Sequence, residues 1–172
     1  NILDTPAEAA FDALTELAVQ ICGGGMAALT LIDRDRQWFK SCHQFYEREN
    51  SRDQSFCSHA ILTPNQITDV PDARLDPRFA DNPLVTADDG IRSYSGAPLL
   101  IGDDLAVGTL CVFDTVPRHL TAAQLKALGQ LSAQAVTLMK SAVLRAQTEQ
   151  QHQQLMAKKN RLDAIIDGTQ MG

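Results

Sequence analysis

The spacing of hydrophobic and polar positions predicts one long helix in the last third of the chain, from Thr121 to about Asp167. Thr121 as N-cap and Gln124 three residues later have the sequence of a capping box. No proline follows this start, and Gly129 is the only glycine between it and Gly168. At 1.5 Å per residue the helix would be about 70 Å long, which exceeds what a compact domain of this size needs. The pattern therefore favours a helix that extends beyond its own domain and transmits a signal from it.

The two halves of this predicted helix differ in character. The first half has apolar residues at intervals of three and four, as expected of a helix packed on its own domain or on a second copy. The second half is rich in glutamine, with Leu155 and Leu162 one heptad apart. We expect a parallel two-stranded coiled coil with weak packing, and the alternative is a solvated tail. The expected dimer and signalling positions are Leu128, Leu131, Ala135, Leu138, Ala142, Leu155 and Leu162.

The rest of the pattern consists of short elements separated by polar loops. Thr5 as N-cap, followed by Pro6 and Glu8, predicts a first helix that ends at Gly23. The apolar stripe of this helix is Phe11, Leu14, Ala18 and Ile21. Strands are predicted over residues 26–32, 37–43, 67–70, 91–101 and 105–113, and short helical segments over residues 56–62 and 76–79. The loop of residues 71–90 is long, and long loops in compact domains are usually functional.

The last predicted strand is apolar on both of its faces. Residues 105, 107, 109, 111 and 113 share one face, residues 106, 108, 110 and 112 share the other, and both sets are mostly apolar. The sheet must therefore be covered twice, by the terminal helices and by the segment of residues 50–90. A cover made of loops leaves room for a cavity, and the alternative is that side chains fill the space. The candidates for the cavity are Phe39, Phe56, His59, Asp69, Phe79, Arg92, Tyr94, Thr109 and Cys111.

Composition and charge exclude several classes of protein. The 172 residues are 44% apolar, which suits one globular domain with a helical extension. The formal net charge of −6 and the lack of a basic stripe argue against a nucleic-acid partner. No apolar run is long enough to span a membrane. The four cysteines lack the close pairing of a disulfide framework or zinc site, so we expect reduced thiols and a cytoplasmic location.

Six short motifs along the chain are informative in their order. They begin at Asp33 (DRDRQWFK), Ser55 (SFCSHAI), Pro71 (PDA), Pro77 (PRFA), Gly96 (GAPL) and Gly108 (GTLCV). In this order they resemble the GAF domain, and in particular the GAF domains placed before PAS, histidine-kinase or diguanylate cyclase modules in bacterial signalling proteins. The resemblance implies an α+β fold with a central antiparallel sheet of about six strands. It also implies helices on one face of that sheet and a ligand pocket under loops on the other.

The end of the chain carries a second resemblance. The segment from Arg161 to Thr169 is similar to the opening of a PAS domain. We therefore expect a GAF sensor domain over residues 1–140 and a coiled-coil linker helix over residues 141–167. Residues 168–172 would begin a PAS-like domain, and a PAS or output domain would follow in the same polypeptide.

The cofactor signatures known in the GAF family are incomplete in this chain. The pair Cys42 and His43 resembles the attachment site of bilin-binding GAF domains, but it lies in a predicted strand and the Asp-Ile-Pro motif is missing. Cys57 and His59 would point about 200° apart on a helix, which does not suit a shared metal ion. The signature of GAF domains that bind cyclic nucleotides is missing as well. We therefore expect no bilin, haem or metal, and an unknown small molecule as ligand.

Catalysis is not expected within this chain. Some GAF-fold proteins reduce free methionine sulfoxide with loop cysteines, but Cys22, Cys42 and Cys111 fall in predicted helix or strand, where a buried thiol is inert. We favour a homodimeric sensor in which ligand binding shifts the C-terminal helices and so a downstream output domain. One alternative is a ligand-free dimerisation and signal-relay module. The other is a thiol redox sensor or reductase that uses Cys57.

Overall fold

The computed structural model describes residues 2–169, and six of its strands form one antiparallel sheet in the order β3-β2-β1-β6-β5-β4. The elements in chain order are α1 (Ala9–Cys22), β1 (Met26–Ile32), β2 (Arg36–His43), β3 (Glu49–Ser51), α2 (Phe56–Ala60), β4 (Thr68–Val70), α3 (Pro83–Thr86), β5 (Ser93–Ile101), β6 (Leu105–Asp114) and α4 (Ala122–Thr169), with short 3₁₀ turns at Arg52–Gln54 and Ala73–Leu75. The prediction of an α+β fold with about six antiparallel strands and a long C-terminal helix is confirmed.

Helices α1 and α2 contact different sets of side chains on this sheet. The central strands β1 and β6 pair from Met26 opposite Phe113 to Leu31 opposite Gly108. Helix α1 packs against β1, β2 and β6, and α2 packs against β5, β6 and β1. Because side chains alternate along a strand, the odd-numbered side chains of β6 face one covering layer and the even-numbered side chains face the other. Both faces of the sheet are therefore buried, as the two-sided apolar pattern predicts.

A β-bulge in β2 determines how α1 is anchored. Leu29 of β1 pairs with Ser41 while the next residue, Thr30, pairs with Phe39, so Lys40 is an extra residue in β2. A bulge of this kind turns two successive side chains toward the same face. Here the Ser41 hydroxyl hydrogen-bonds to Asp12 Oδ1 at 2.6 Å, and Lys40 also reaches the side of α1.

Lys40 is a buried lysine whose ammonium group is fully hydrogen-bonded. Its side chain is 0% exposed, and Nζ donates to Thr5 Oγ1 (2.8 Å), the Pro6 carbonyl oxygen (2.8 Å) and Glu8 Oε1 (2.7 Å). Nζ also lies 5.0 Å from the centre of the Phe11 ring. A buried ammonium group is tolerated only with such partners. Lys40 therefore fixes the segment that leads into α1.

Replacing Lys40 by methionine should lower the free energy of unfolding by about 1–3 kcal/mol, because hydrogen bonds to a charged group contribute about that much. Methionine keeps the unbranched shape but none of the three donors. Chemical denaturation followed by circular dichroism measures the difference. Lys126→Met makes the same change at an exposed position of α4 and should alter stability by less than about 0.5 kcal/mol. Equal losses in the two variants would contradict this role of Lys40.

The start and one face of α1 differ from the prediction. The helix begins at Ala9, with Glu8 rather than Thr5 at the N-cap position. Thr5 belongs instead to the segment before the helix, where its hydroxyl accepts a hydrogen bond from Lys40. Ile21, expected in the buried stripe, is 40% exposed, while Cys22 is buried in its place. The predicted glycine stop is present, since the residue after Cys22 adopts a left-handed conformation (φ 89°).

Helix α4 begins with the predicted capping box. The amide of Gln124 donates to Thr121 Oγ1 (3.3 Å), and the amide of Thr121 donates to Gln124 Oε1 (2.9 Å). The part of α4 up to residue 138 belongs to one compact unit with residues 3–121. Within that unit, Leu128 and Ala135 are fully buried and Ser132 Oγ donates to the Pro98 carbonyl oxygen at 2.6 Å. This part of the helix is therefore an integral part of the domain.

The predicted dimer positions along α4 differ in exposure. Leu131 and Leu138 are half-buried. The remainder of α4, from residue 139, belongs to a second compact unit, in which Ala142 is half-buried while Leu155 and Leu162 are 65% and 59% exposed. No helix among the described residues is long and apolar enough to cross a membrane. Residues 170–172 of the expected PAS-like opening lie outside the described part of the chain.

Several loop elements were missed or misplaced by the sequence pattern. Strand β3 and helix α3 were not predicted, since each has only three or four residues. The helical turn expected after Asp76 is a hydrogen-bonded turn, in which the Asp76 carbonyl oxygen accepts from the amides of Phe79 and Ala80. The predicted segments 56–62, 67–70 and 91–101 are shorter in the structure, as α2, β4 and β5.

Candidate functional site

The face of the sheet that α2 covers carries a core rich in aromatic side chains. Phe56 stacks on Phe79 with ring centroids 4.2 Å apart, and it lies 5.1 Å from the Tyr94 ring. The buried members of this core are Ala28, Phe39, Phe56, Cys57, Ala60, Val70, Ala73, Phe79, Val85, Tyr94 and Cys111. They come from β1, β2, β4, β5 and β6 and from the connecting segments, so the core fastens those segments to the sheet.

A half-enclosed cavity of about 310 Å³ lies beside this core. Its volume is at the lower end of the range that is usual for small-molecule sites. It is lined by Met26, Gln37, Phe39, Phe45, Glu47, Asn50, Ser55, Phe56, Cys57, Pro83, Leu84, Ala87, Asp89, Gly90, Ile91, Tyr94, Cys111, Phe113 and Thr115. Four strands form its base, and residues 45–57 and 83–91 form its cover. The expected pocket under loops is therefore present.

Three phenylalanines form a continuous aromatic wall of the cavity. Phe45 lies edge-on to Phe39, with centroids 5.7 Å apart, and edge-on to Phe113 at 5.1 Å. Edge-to-face pairs at these distances are favourable, so the three rings support one another. The wall offers flat apolar surface to a molecule in the cavity.

The lining has few polar groups, and its charged side chains are all acidic. Glu47 and Asp89 are its charged side chains, and both are exposed at the rim. Asn50 Oδ1 is a buried oxygen atom with no hydrogen-bond partner among the described residues. Such an atom loses the hydrogen bonds of water and gains nothing in return. Its capacity to accept a hydrogen bond is therefore unused by the described residues.

Two cysteine thiols lie in contact at the cavity. Cys57 Sγ and Cys111 Sγ are 3.8 Å apart, and both residues are 2% exposed. The Tyr94 hydroxyl donates to Cys57 Sγ at 3.3 Å and lies 3.5 Å from Thr109 Oγ1. Cys111 Sγ donates to the Ala28 carbonyl oxygen at 3.6 Å. The two sulfur atoms thus share one small hydrogen-bond network.

Gly96 allows Tyr94 to reach this network. The two residues lie on the same face of β5, two positions apart, and the Tyr94 ring folds back over the glycine. A Cβ atom at position 96 would collide with the Tyr94 hydroxyl and lie 2.6 Å from Cζ of the ring. Any side chain here would push the hydroxyl away from Cys57. The glycine of the GAPL motif therefore has a positional role.

This environment changes the acidity of the groups at the thiol pair. Burial would raise the pKa of Cys57, but its hydrogen bonds to Cys111, Thr109, Thr30 and Tyr94 outweigh burial and lower that pKa. The hydrogen bond to Cys57, together with burial, raises the pKa of Cys111 well above its ordinary value. Cys111 therefore holds its proton more tightly than Cys57 does.

Four of the nine predicted cavity residues line the cavity: Phe39, Phe56, Tyr94 and Cys111. Two others lie behind the lining. Phe79 is fully buried under Phe56, and Thr109 is fully buried beside Tyr94. These six predicted residues are thus brought together in one region of the sheet.

The other three predicted residues do not line the cavity. His59 packs edge-on to Phe79 at 5.0 Å. Asp69 accepts a hydrogen bond from Ser95 Oγ at 2.6 Å and lies on the opposite face of the sheet. The sequence could not predict this face, because β4 has only three residues and shows no clear alternation. Arg92 is a structural residue of the cover.

Arg92 holds the loop that follows α3 in place. Its guanidinium donates to the carbonyl oxygens of Val85 (2.6 Å), Ala87 (3.2 Å) and Asp88 (3.2 Å). Three backbone acceptors on one short segment fix the path of the chain there. Arg92 therefore shapes the rim of the cavity without entering it.

The sequence pattern missed several lining residues. Phe113 shares a strand face with the predicted residues Thr109 and Cys111, so the period of two could have included it, whereas Met26 lies opposite Phe113 on β1. Phe45 lies in the polar connection that leads to β3, and Asn50 lies in the three-residue strand β3, so no periodicity identifies them. The sequence offers Cys57 as the thiol of a redox sensor or reductase, and its contact with Cys111 follows from the fold.

A second cavity of about 340 Å³ lies at the edge of β2, on the side of Thr5, Pro6 and Lys40. Its lining is more polar, and the side chain of Lys40 is saturated by its three acceptors. No group of three or more His, Cys, Asp or Glu residues in the described range 2–169 is arranged to hold a metal ion. The aromatic cavity is therefore the candidate site.

The fold and the cavity define a class of α+β domain with one antiparallel sheet and a loop-covered pocket. The family model described as "GAF domain" matches residues 6–138, and the chain belongs to this family. The chain is also 38% identical over 118 residues to the cyclic di-GMP phosphodiesterase PA2567 of Pseudomonas aeruginosa. That match covers 69% of this chain and 20% of the relative, so the chain spans about a fifth of the relative's length.

Solved structures with the same fold have diverged far in sequence. The GAF domain of an Acinetobacter phosphoenolpyruvate-protein phosphotransferase superposes with a TM-score of 0.66 at 16% identity, covering 83% of this chain and 88% of that one. A type II free methionine-R-sulfoxide reductase of Thermoplasma acidophilum superposes with a TM-score of 0.62 at 12% identity, covering 76% and 89%. Identities this low establish the shared fold alone.

Proposed function

We propose that this GAF domain is a sensory module that binds a small molecule in the aromatic cavity. The observation that carries the proposal is a preformed cavity with a wall of phenylalanines and one unpartnered buried acceptor, Asn50 Oδ1. As a homodimer, the domain would pass the signal through α4 to an output domain in the same polypeptide. The role is regulatory, and catalysis would belong to the output domain.

The lining favours a particular class of ligand. An aromatic ring fits against Phe39, Phe45 and Phe113, and an N–H or O–H donor on the ligand would satisfy Asn50 Oδ1. The charged lining groups, Glu47 and Asp89, repel anions and attract cations. We therefore infer a neutral or cationic aromatic molecule with at least one hydrogen-bond donor.

The relative suggests what the output domain does. Its name says that it acts on cyclic di-GMP, and this chain spans only a fifth of its length. The cavity itself does not suit that dinucleotide, whose phosphates would face acidic lining groups with no lysine, arginine or histidine in the described lining. We therefore assign the handling of cyclic di-GMP to an output domain and not to the cavity.

Three probes with one ring system test the ligand class: tryptamine (cationic), indole (neutral) and indole-3-acetate (anionic). Each is titrated into the protein by isothermal calorimetry after native mass spectrometry has shown whether a molecule copurifies. We expect tryptamine to bind about three- to tenfold more tightly than indole-3-acetate, because two exposed carboxylates contribute less than about 1 kcal/mol each. Tighter binding of the anion would contradict the ligand class.

The variant Glu47→Gln with Asp89→Asn should remove this preference while leaving the affinity for indole unchanged. The substitutions abolish both charges and keep the shape of the lining. Glu16→Gln, at an exposed position of α1 outside the cavity lining, is the matched control and should retain the preference. If no probe binds and no molecule copurifies, the sensor proposal fails and the ligand-free relay module takes its place.

A further inference from the structure

The two sulfur atoms at the cavity are placed for chemistry that ligand binding does not use. Cys57 and Cys111 are 54 positions apart in the chain, yet their Sγ atoms are 3.8 Å apart. Both thiols are free, and both residues line the half-enclosed cavity. A molecule as small as hydrogen peroxide can therefore approach them from the cavity, although they are otherwise buried.

We propose that Cys57 and Cys111 form a peroxide-reactive dithiol site, which closes to an intramolecular disulfide at the cavity. The contact between the two sulfur atoms, their position on the lining and the hydroxyl donor of Tyr94 carry this inference. An S–S bond is about 2.0 Å long, so the sulfur atoms start near van der Waals contact and need a short further approach.

The reaction balances with peroxide as the oxidant. The Cys57 thiolate attacks one peroxide oxygen, the O–O bond breaks, and the departing hydroxide takes up the proton released by the thiol, giving a sulfenic acid and water. Cys111 Sγ then attacks the sulfur of Cys57, the S–O bond breaks and the S–S bond forms. The hydroxide leaves with the Cys111 proton as a second water. Two thiols are oxidised by two electrons in total, and one peroxide is reduced to two waters.

The hydrogen bonds assign different roles to the two cysteines. Cys57 Sγ accepts a hydrogen bond from the Tyr94 hydroxyl at 3.3 Å, and this bond stabilises the thiolate that attacks the peroxide. Cys111 donates to the Ala28 carbonyl oxygen, which keeps its proton in place until the second step. The direction of the pKa of each thiol agrees, lowered for Cys57 and raised for Cys111.

The other two cysteines provide internal controls. Cys42 is half-buried, and its Sγ donates to the Glu47 carbonyl oxygen at 3.5 Å. Burial raises the pKa of Cys42 to about 11, so it holds little thiolate near neutral pH. Cys22 is 2% exposed on α1. Exposure alone would make Cys42 the first cysteine to react, whereas the dithiol site makes it Cys57.

Intact mass spectrometry on the fully reduced wild-type chain tests the proposal. The protein is treated with a few equivalents of hydrogen peroxide, and its intact mass is measured. The remaining free thiols are then blocked, and the digest is mapped without reduction. We expect a loss of two mass units and one cross-linked peptide pair that contains Cys57 and Cys111. A gain of 16 mass units on Cys42, or a cross-link between any other pair, would overturn the proposal, as would an unchanged mass.

Three variants separate the steps. Cys42→Ser should still lose two mass units, Cys57→Ser should not, and Cys111→Ser should stop at a sulfenic acid on Cys57 that dimedone traps. A Cys57→Ser protein that still loses two mass units would contradict the assignment. Should one variant fail to fold, the wild-type peptide map decides alone. No ligand enters this experiment, so its failure is distinguishable from failure of the sensor proposal.

Discussion

Replacing Gly108 by alanine is expected to lower the free energy of unfolding by about 3 kcal/mol or more, one of the largest effects available from a single methyl group in this chain. A Cβ atom at position 108 would collide with the carbonyl oxygen of Thr30, lie 2.8 Å from its carbonyl carbon and lie 2.9 Å from Leu31 Cα. All three obstacles are backbone atoms of β1, which cannot rotate away as a side chain can.

The close approach arises from a bulge in β6. Pro98 of β5 pairs with Thr109 and Leu100 pairs with Ala106, so one residue of β5 lies opposite two residues of β6. One of those two residues is Gly108, which lies directly against β1. Because β1 and β6 are the two central strands, a shift here would disturb pairing on both sides.

Equilibrium unfolding in urea measures the effect, and Gly129→Ala is the matched control. At position 129 a Cβ atom would meet only Ile67 Cδ1, at an ordinary contact distance of 3.5 Å. Since alanine is favoured over glycine in a helix by up to about 1 kcal/mol, this variant should be neutral or more stable than wild type. A Gly108→Ala protein as stable as the Gly129→Ala protein would show that β1 and β6 do not approach as described.

Elements with a strong local signal could be predicted from the sequence. The strand Met26–Ile32 has the predicted bounds because a run of seven residues, all apolar except Thr30, lies between a glycine run and a polar turn. The capping box of α4 was recognisable because both partners are local, Thr121 and Gln124. Such signals depend on neighbouring residues and need no knowledge of the fold.

Elements that depend on distant partners could not be predicted. Thr5 has the sequence of an N-cap, but its hydroxyl accepts from Lys40, which a bulge in β2 turns toward it. Asp69 has no periodic context in a three-residue strand, and its pairing with Ser95 places it on the face away from the cavity. In both cases tertiary contacts override the local preference.

The cavity shows the same division. The lining residues on strands could be predicted as a set, because strand alternation sends Phe39, Tyr94 and Cys111 to a common face. The contact between Cys57 and Cys111 depends on where α2 crosses β6, which no spacing in the sequence encodes. The roles of Asn50 and of the acidic rim likewise follow from how the loops fold over the sheet.

The second large effect is expected on the oligomeric state, because we propose a dimer as the signalling unit. Leu131→Glu combined with Leu138→Glu should convert a dimer into a monomer of about 18.8 kDa in light scattering coupled to size-exclusion chromatography. Both leucines are half-buried, one heptad apart on α4. An apolar groove beside Leu131 includes Ile21 and Ala127, and Ile21 and Leu17 of α1 are 40% and 42% exposed. A second copy would cover this surface, and two buried carboxylates in each chain would prevent it.

Thr137→Glu introduces the same charge at an exposed neighbour of Leu138 and should leave the dimer intact. Circular dichroism and thermal unfolding establish that the double variant is folded, since half-buried leucines also contribute to the domain's own stability. A folded double variant that keeps the dimer mass would show that α4 does not form the interface around these leucines. Signal transfer through two α4 helices would then fail, because a ligand can bias only an equilibrium in which the two helices take part. The cavity and its dithiol would remain, but as properties of a single chain.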